Sequence, residues 1–144
     1  MPQLIRFNAD AKPQLVTITD GFASLDFVVR GALTLAEDAH FLSRLEPVGG
    51  ANASNQDVWL AAIMTLIVMR QDLMAELTKL PADPIPLDAK PEDVLGDVSQ
   101  LSIQFTSRCF DLYLAEKQST PIDERSKAIA PKPSNGKKST TTSK

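Results

Sequence analysis

The sequence predicts an α+β fold in which an N-terminal β-hairpin packs on a three-helix, mostly α-helical body. An alternating apolar segment with an Asp-Gly turn indicates the hairpin at 14–30. Apolar residues spaced three or four apart then indicate helices at about 34–46, 55–80 and 91–117. The residues after 117 have almost no apolar content. We therefore expect a single domain over 1–117 and a disordered, basic tail rich in Ser, Thr and Lys over 118–144.

The predicted hairpin has two strands of unequal length. Leu15–Thr19 is short and β-branched, Asp20-Gly21 is a strong turn signal, and Phe22–Arg30 returns. Because side chains alternate along a strand, one face of the return strand is apolar, with Leu25, Phe27 and Val29. A two-stranded hairpin is marginal in water, so we expect this face to pack on the helices.

The first helix begins with a capping box. Thr34 is the expected N-cap, and Glu37 stands at the third helical position, from which its side chain reaches back to the cap. Pro47 marks the expected end.

The central segment Asn55–Leu80 is the most apolar part of the chain. Val58–Met69 contains no charge and a single polar side chain, and Pro81 is expected to end the helix. A helix that is apolar nearly all round lies inside a bundle or in an interface. It is too short to cross a bilayer, because twelve residues rise about 18 Å against a hydrocarbon core of about 30 Å, and we expect no membrane partner.

One stripe of this helix is a candidate protein-binding surface. Methionine-rich apolar surfaces adapt to varied partners and accept amphipathic helices. The hypothesis is that this stripe binds a partner or forms a self-association seam, and the alternative is that it is core. Self-association is expected, because one hairpin and two helices cover the central helix incompletely. The candidate residues are Trp59, Ile63, Met64, Ile67 and Met74.

The third helix follows a stiff connector. Residues 81–91 contain four prolines, which favour extended backbone. Pro91 suits the first turn of a helix, and Glu92 and Asp93 interact favourably with its dipole. We expect that helix to continue to about Lys117.

Charge divides the chain into two parts. Six basic and two acidic residues follow Ser119, which gives that segment a charge of +4. The nine basic and sixteen acidic residues before it give −7. An acidic body does not indicate a nucleic-acid-binding surface, so no nucleic-acid partner is expected.

Residue types that carry catalysis are few. Glu37 and His40 have the spacing of a metal-binding pair but lack further ligands, so His40 is interpreted as a surface or boundary residue. The only cysteine, Cys109, has no histidine near it in sequence and is interpreted as a buried apolar residue. Gly49-Gly50 lacks the lysine and glycine spacing of a phosphate loop. We therefore predict a protein that is not an enzyme and needs no cofactor or metal.

The order of elements carries a family resemblance. The hairpin LVTITDGFASLDFVVR leads directly into the capped helix TLAEDAHFLSRLE, and an apolar helix, a final helix with an acidic first turn and a polar tail follow. Over Leu15–Lys117 the chain resembles the tail assembly chaperones of long-tailed bacteriophages. The resemblance implies a non-enzymatic protein of the host cell cytoplasm. It would bind the tape measure protein, keep it soluble, help to recruit tail tube protein, and be absent from the mature virion.

Two other classes of protein remain open at this point. A virion structural or head–tail adaptor protein would bury the apolar stripe permanently against neighbouring subunits. A small host protein-binding regulatory module would use its acidic body to meet a basic partner, in a salt-sensitive complex.

Overall fold

A computed structural model describes residues 4–5 and 12–118 of the chain. It confirms the α+β class, with a two-stranded antiparallel hairpin followed by helices. The predicted disordered tail at 118–144 lies outside the described residues, apart from Gln118. The strands are β1 (Gln14–Thr19) and β2 (Ser24–Val29), and the helices are α1 (Leu35–Leu45), α2 (Asn55–Met69), α3 (Gln71–Thr78), α4 (Pro91–Leu95) and α5 (Ile103–Lys117).

The hairpin pairs in a regular register, from Gln14 opposite Val29 to Thr19 opposite Ser24. Its loop is longer than the predicted Asp-Gly turn, because the return strand begins at Ser24. The Asp20 carboxylate holds this loop: Oδ1 accepts hydrogen bonds from the backbone N–H groups of Phe22 (2.7 Å) and Ala23 (2.8 Å). The turn signal is therefore correct, but a side chain stabilises the loop.

Helix α1 follows its sequence signal closely. The Thr34 hydroxyl accepts from the Glu37 backbone N–H at 3.1 Å, and Glu37 Oε1 accepts from the Thr34 backbone N–H at 2.9 Å. This is the predicted capping box. Phe41 of α1 packs on Tyr113 of α5, with ring centroids 4.7 Å apart.

The single central helix predicted at 55–80 is wrong, because it is broken at Arg70. Helices α2 and α3 meet there at an angle of 57°. The Arg70 backbone has φ −117° and ψ 17°, which is outside the α-helical region. The Gln71 side-chain amide donates to the Val68 carbonyl at 3.0 Å, so a side chain satisfies this carbonyl beside the break. Helical spacing continues across the break in the sequence and gave no sign of it.

The third predicted helix, at 91–117, is also divided. Helix α4 ends at Leu95, followed by Gly96 at φ +80° and ψ −146°, a conformation that only glycine adopts readily. A short 3₁₀ turn, Val98–Gln100, separates it from α5. The hydroxyl of Ser102 accepts from the Phe105 backbone N–H at 2.9 Å and provides a new N-cap for α5.

Helix α2 packs against α1, α5 and the hairpin, and its middle forms the centre of the core. Residues 61–66 are all buried. A smaller apolar cluster lies beneath the proline-rich connector, where Met64 and Val68 meet Ala89. We call residues 80–90 the strap. Arg44 of α1 fastens it by donating from Nη1 to the Ala89 carbonyl and from Nη2 to the Leu87 carbonyl, both at 2.9 Å.

Candidate binding groove and its buried arginine cluster

An apolar groove of about 640 Å³ opens between β2, α3 and the strap. Its walls come from five parts of the chain: β2, the end of α2, α3, the strap and α4. Most of the apolar side chains along it are half-buried or exposed, so they are at least partly accessible to a ligand. Large apolar side chains among them are Leu25, Ile67, Met74, Leu80 and Ile85.

The structure separates the five residues of the predicted apolar stripe. Ile67 and Met74 line the groove and are half-buried. Trp59 is also half-buried, but it lies outside the groove, two turns earlier on α2. Ile63 and Met64 have 0% exposure, so for these two residues the partner-binding hypothesis is wrong and the alternative, that they are core, is correct. The reason is that neighbouring elements cover the middle of α2 on every side. Partner binding by Ile67, Met74 and Trp59 stays a prediction.

A fully enclosed arginine lies at the base of the groove. Arg70 is 1% exposed, and all five of its N–H groups have acceptors. Nε and Nη2 donate to the two carboxylate oxygens of Glu37, at 2.8 and 3.0 Å. Nη1 donates to Glu116 Oε1 at 2.8 Å and to the Val28 carbonyl at 2.9 Å, and Nη2 also donates to the Ala32 carbonyl at 2.7 Å. The guanidinium of Arg70, at the end of α2, therefore binds β2, the loop that follows β2, α1 and α5.

The two glutamates have further partners of their own. Glu116 is 0% exposed and accepts from the backbone N–H of Arg30 (2.7 Å) and of Gly31 (3.1 Å). Glu37 is 3% exposed and accepts from the Arg30 guanidinium at 3.2 Å as well as from its helix cap. We call Arg30, Glu37, Arg70 and Glu116 the arginine cluster. Its two positive and two negative charges balance, which is required of charges removed from water.

Ionisation within the cluster follows from these contacts. Burial on its own raises the pKa of Glu37, but hydrogen bonds from Arg70 and Thr34 and the charges of Arg70 and Arg30 outweigh it. The pKa of Glu37 is therefore below its ordinary value. Burial similarly lowers the pKa of Arg70, and the bonds and charges of Glu37 and Glu116 raise it above its ordinary value. Both groups are charged at neutral pH.

The cluster also identifies the free edge of the hairpin. The Val28 carbonyl and the Arg30 N–H are bonded to Arg70 and Glu116, so both point away from β1. Backbone groups alternate in direction along an antiparallel strand. Asp26 and Ser24 therefore direct their N–H and C=O groups toward the same open edge, where both residues line the groove. The backbone N–H and C=O groups on the open edge of β2 therefore lie beside the apolar surface of the groove.

The charged groups on the groove rim are acidic. Asp26, Asp72 and Asp83 line the groove and are exposed. Among the described residues that line it, Arg70 is the only cation, and its charge is compensated inside the cluster. The groove thus presents an apolar base and a negative rim to a ligand.

Gln71 connects the strap to the helix break. Its Oε1 accepts from the Ile85 N–H at 2.7 Å, and its Nε2 donates to the Ile85 carbonyl at 2.9 Å. The side-chain amide thus pairs with one residue of the strap as a neighbouring strand would. This pairing fixes the outer wall of the groove.

The structure shows the surroundings of the residues that were considered for chemistry in the sequence: Glu37, His40 and Cys109. His40 Nε2 accepts from Arg44 Nε at 2.8 Å, and burial together with the Arg44 charge lowers the pKa of His40. Glu37 faces the arginine cluster, so the Glu37–His40 pair does not converge on one point. Burial raises the pKa of Cys109 to about 12, which leaves almost no thiolate at neutral pH. Within the described part of the chain, no three side chains of the metal-binding types come together.

Across residues 12–118, no helix on its own has both the length and the apolar character that crossing a bilayer requires. Helices α2 and α3 meet the length and composition requirement only when taken together, and they are bent.

Comparison with protein-family models, with curated proteins and with solved structures gives no significant match. The function is therefore inferred from the groove and from the physical chemistry of its residues.

Sequence reasoning did not find the arginine cluster. In the sequence Arg70 only ends an apolar run, Glu37 is considered as a helix cap and as a metal-binding partner of His40, and Glu116 is not singled out. One signal was available: Arg70 follows twelve uncharged residues and has apolar neighbours at helical spacing on both sides. An arginine in that position requires a buried anion.

Proposed function

We propose that the protein is an assembly chaperone of the phage-tail type. In this proposal it holds an apolar stretch of a tape measure protein in the groove, keeps that protein soluble, and helps to recruit tail tube subunits. It would act in the host cell cytoplasm and be absent from the mature virion. The observation that supports the proposal is the groove itself, with partly accessible apolar walls that include Ile67 and Met74.

The construction of the groove suits a temporary binding site. A helical client presents apolar residues on one face, and a groove between a strand edge and a helix accepts such a face. The arginine cluster and the hydrogen bonds between Gln71 and Ile85 hold the walls in place before binding, which reduces the ordering cost of association. The apolar area is limited and the rim is charged, which favours a reversible complex over a permanent one.

The test is a binding experiment with a matched control. Met74→Glu places a charge on the groove wall, and Leu35→Glu makes a similar change at a position that is 91% exposed on α1 and outside the groove. Each variant is co-expressed with the tape measure protein, and soluble client and co-purified complex are measured. Urea unfolding of each variant checks that the fold is retained.

We expect Met74→Glu to weaken the complex at least about tenfold, the effect of removing an interface anchor, and Leu35→Glu to leave it unchanged. Equal binding by the two variants would remove the groove from the proposal. Absence of client binding by the wild-type protein, together with a discrete and stable oligomer of the chain itself, would instead support a virion structural or adaptor role.

A further inference from the structure

The end of α5 lies beside the groove. Glu116, the second-last residue of this helix, bonds to Arg70 and to the backbone after β2. Arg70 and the β2 residue Val28 both line the groove. The chain that continues beyond Gln118 therefore leaves the described fold close to one end of the groove.

The sequence after Gln118 contains residue types that complement those of the groove. The groove offers an apolar base and three exposed carboxylates, from Asp26, Asp72 and Asp83. Residues 127–132 read KAIAPK, in which Ile129 stands between Lys127 and Lys132. The segment provides an apolar side chain for the base and two cations for the rim. The other isoleucine beyond Gln118, Ile122, is followed by Asp123 and Glu124, which the rim would repel.

We infer that the segment Lys127–Lys132 of this chain occupies its own groove and competes there with other ligands. The competition with a client rests on the proposed function, whereas the occupancy itself does not. Eleven residue steps separate Gln118 from Ile129. A chain of that length reaches about 36–40 Å when extended, more than the roughly 26 Å that twice the radius of gyration gives for a 100-residue domain. The segment is therefore long enough to reach the groove from the end of α5.

Tethering makes a weak contact effective. A short linker gives a bound segment an effective concentration of about 1 mM. A segment whose intrinsic dissociation constant is between about 0.1 and 1 mM would then fill the groove for half of the time or more. A client would bind about two- to tenfold more weakly than it would to an open groove. Such a segment would keep the apolar walls covered until a stronger ligand arrives.

Cysteine-pair cross-linking in the 144-residue chain tests the occupancy. Ala82→Cys places a thiol on the exposed strap beside the groove, and Ala130→Cys places one next to Ile129. The control pair keeps Ala130→Cys and replaces Ala82→Cys by Ala51→Cys, an exposed position beyond the opposite end of α2. Cys109 does not interfere, because it is fully buried. A short bismaleimide is added to dilute protein, and denaturing gels separate cross-links within one chain from those between chains.

We expect the Ala82–Ala130 pair to cross-link within one chain at least about fivefold faster than the control pair. Lys127→Glu with Lys132→Glu should remove the difference, because these charges would then face the acidic rim. The same change at Lys137 and Lys138, outside the segment, should leave it intact. Equal rates for the two pairs would overturn the inference, and so would a cross-link that forms only between chains, because a second copy would then fill the groove.

The client experiment separates this inference from the proposed function. If the inference holds, Lys127→Glu with Lys132→Glu raises client affinity about two- to tenfold. If the cross-link forms in one chain but no client binds, the chaperone proposal fails and the inference stands. If a client binds and the two cysteine pairs react at equal rates, the inference fails and the chaperone proposal stands.

Discussion

Replacing Arg70 by methionine would test whether the arginine cluster holds the fold together. Methionine keeps most of the length and the apolar stem of the side chain but removes the charge and all five N–H groups. Three charged hydrogen bonds to Glu37 and Glu116 are lost, and the carbonyls of Val28 and Ala32 lose a donor. The two carboxylates stay buried, at 3% and 0% exposure.

The size of the effect follows from that burial. Breaking a buried ion pair by removing one partner costs about 3–5 kcal/mol, because the remaining charge has no compensation. Glu37 keeps its cap and Arg30, and Glu116 keeps two backbone donors, so each retains some stabilisation. We therefore expect Arg70→Met to lower the free energy of unfolding at pH 7 by about 3–5 kcal/mol, out of a total that is about 5–15 kcal/mol for most domains.

The pH dependence provides a second readout with a definite sign. In the wild-type protein the pKa of Glu37 is below its ordinary value, so its stabilisation is present above that ordinary value and is lost as the pH falls through the folded pKa. In the variant, burial without Arg70 raises the pKa of Glu37, and protonation then relieves the unpaired charge. The difference in stability between the two proteins should therefore shrink from about pH 7 to about pH 4.

The assay is urea unfolding followed by circular dichroism across this pH range, with Arg108→Met as the control. Arg108 is a half-buried arginine whose Nη1 donates to the Thr19 carbonyl at 2.8 Å. Because this bond is exposed to solvent, the loss of Arg108 should cost about 1–2 kcal/mol, less than the loss of Arg70. A loss below about 1 kcal/mol for Arg70→Met, or a loss that does not change with pH, would refute the reasoning for the cluster.

Three further predictions concern other parts of the fold. Gly96→Ala should lower the free energy of unfolding, measured in urea, by about 1–3 kcal/mol, because Gly96 has a positive φ that alanine rarely adopts. Gly21→Ala, at a glycine without a positive φ, should lower it by less, and equal effects would contradict this. Gln71→Ala should speed amide exchange at Ile85 by removing its bond to the strap, and unchanged exchange measured by NMR would show that the strap is held elsewhere. Cys109 should react with iodoacetamide at pH 8 at least about a hundredfold more slowly in the native state than in urea. Because its folded pKa is raised, the contribution of this thiol to stability should fall as the pH rises above the ordinary thiol value.

Local interactions explain the features that the sequence predicted correctly. The capping box at Thr34 and Glu37, the turn at Asp20 and the alternation in β2 each depend on residues within a few positions of one another. Such short-range signals are complete in the sequence. Helical spacing placed Ile67 and Met74 in one candidate stripe with Ile63 and Met64, but it did not separate the two half-buried residues from the two that are fully buried.

The tertiary structure alone decided where the helices break and what lies inside. The apolar period runs through Arg70 without interruption, and the carboxylates that bind the Arg70 side chain at the break lie 33 and 46 positions away in the chain. Ile63 and Met64 have the same apolar character as Ile67, but neighbouring elements and the strap cover them completely. Burial depends on which elements surround a side chain, and pairing between distant charges depends on how the chain returns on itself. The spacing of residues in one helix contains neither piece of information, so the groove and its buried cation became visible only in the folded chain.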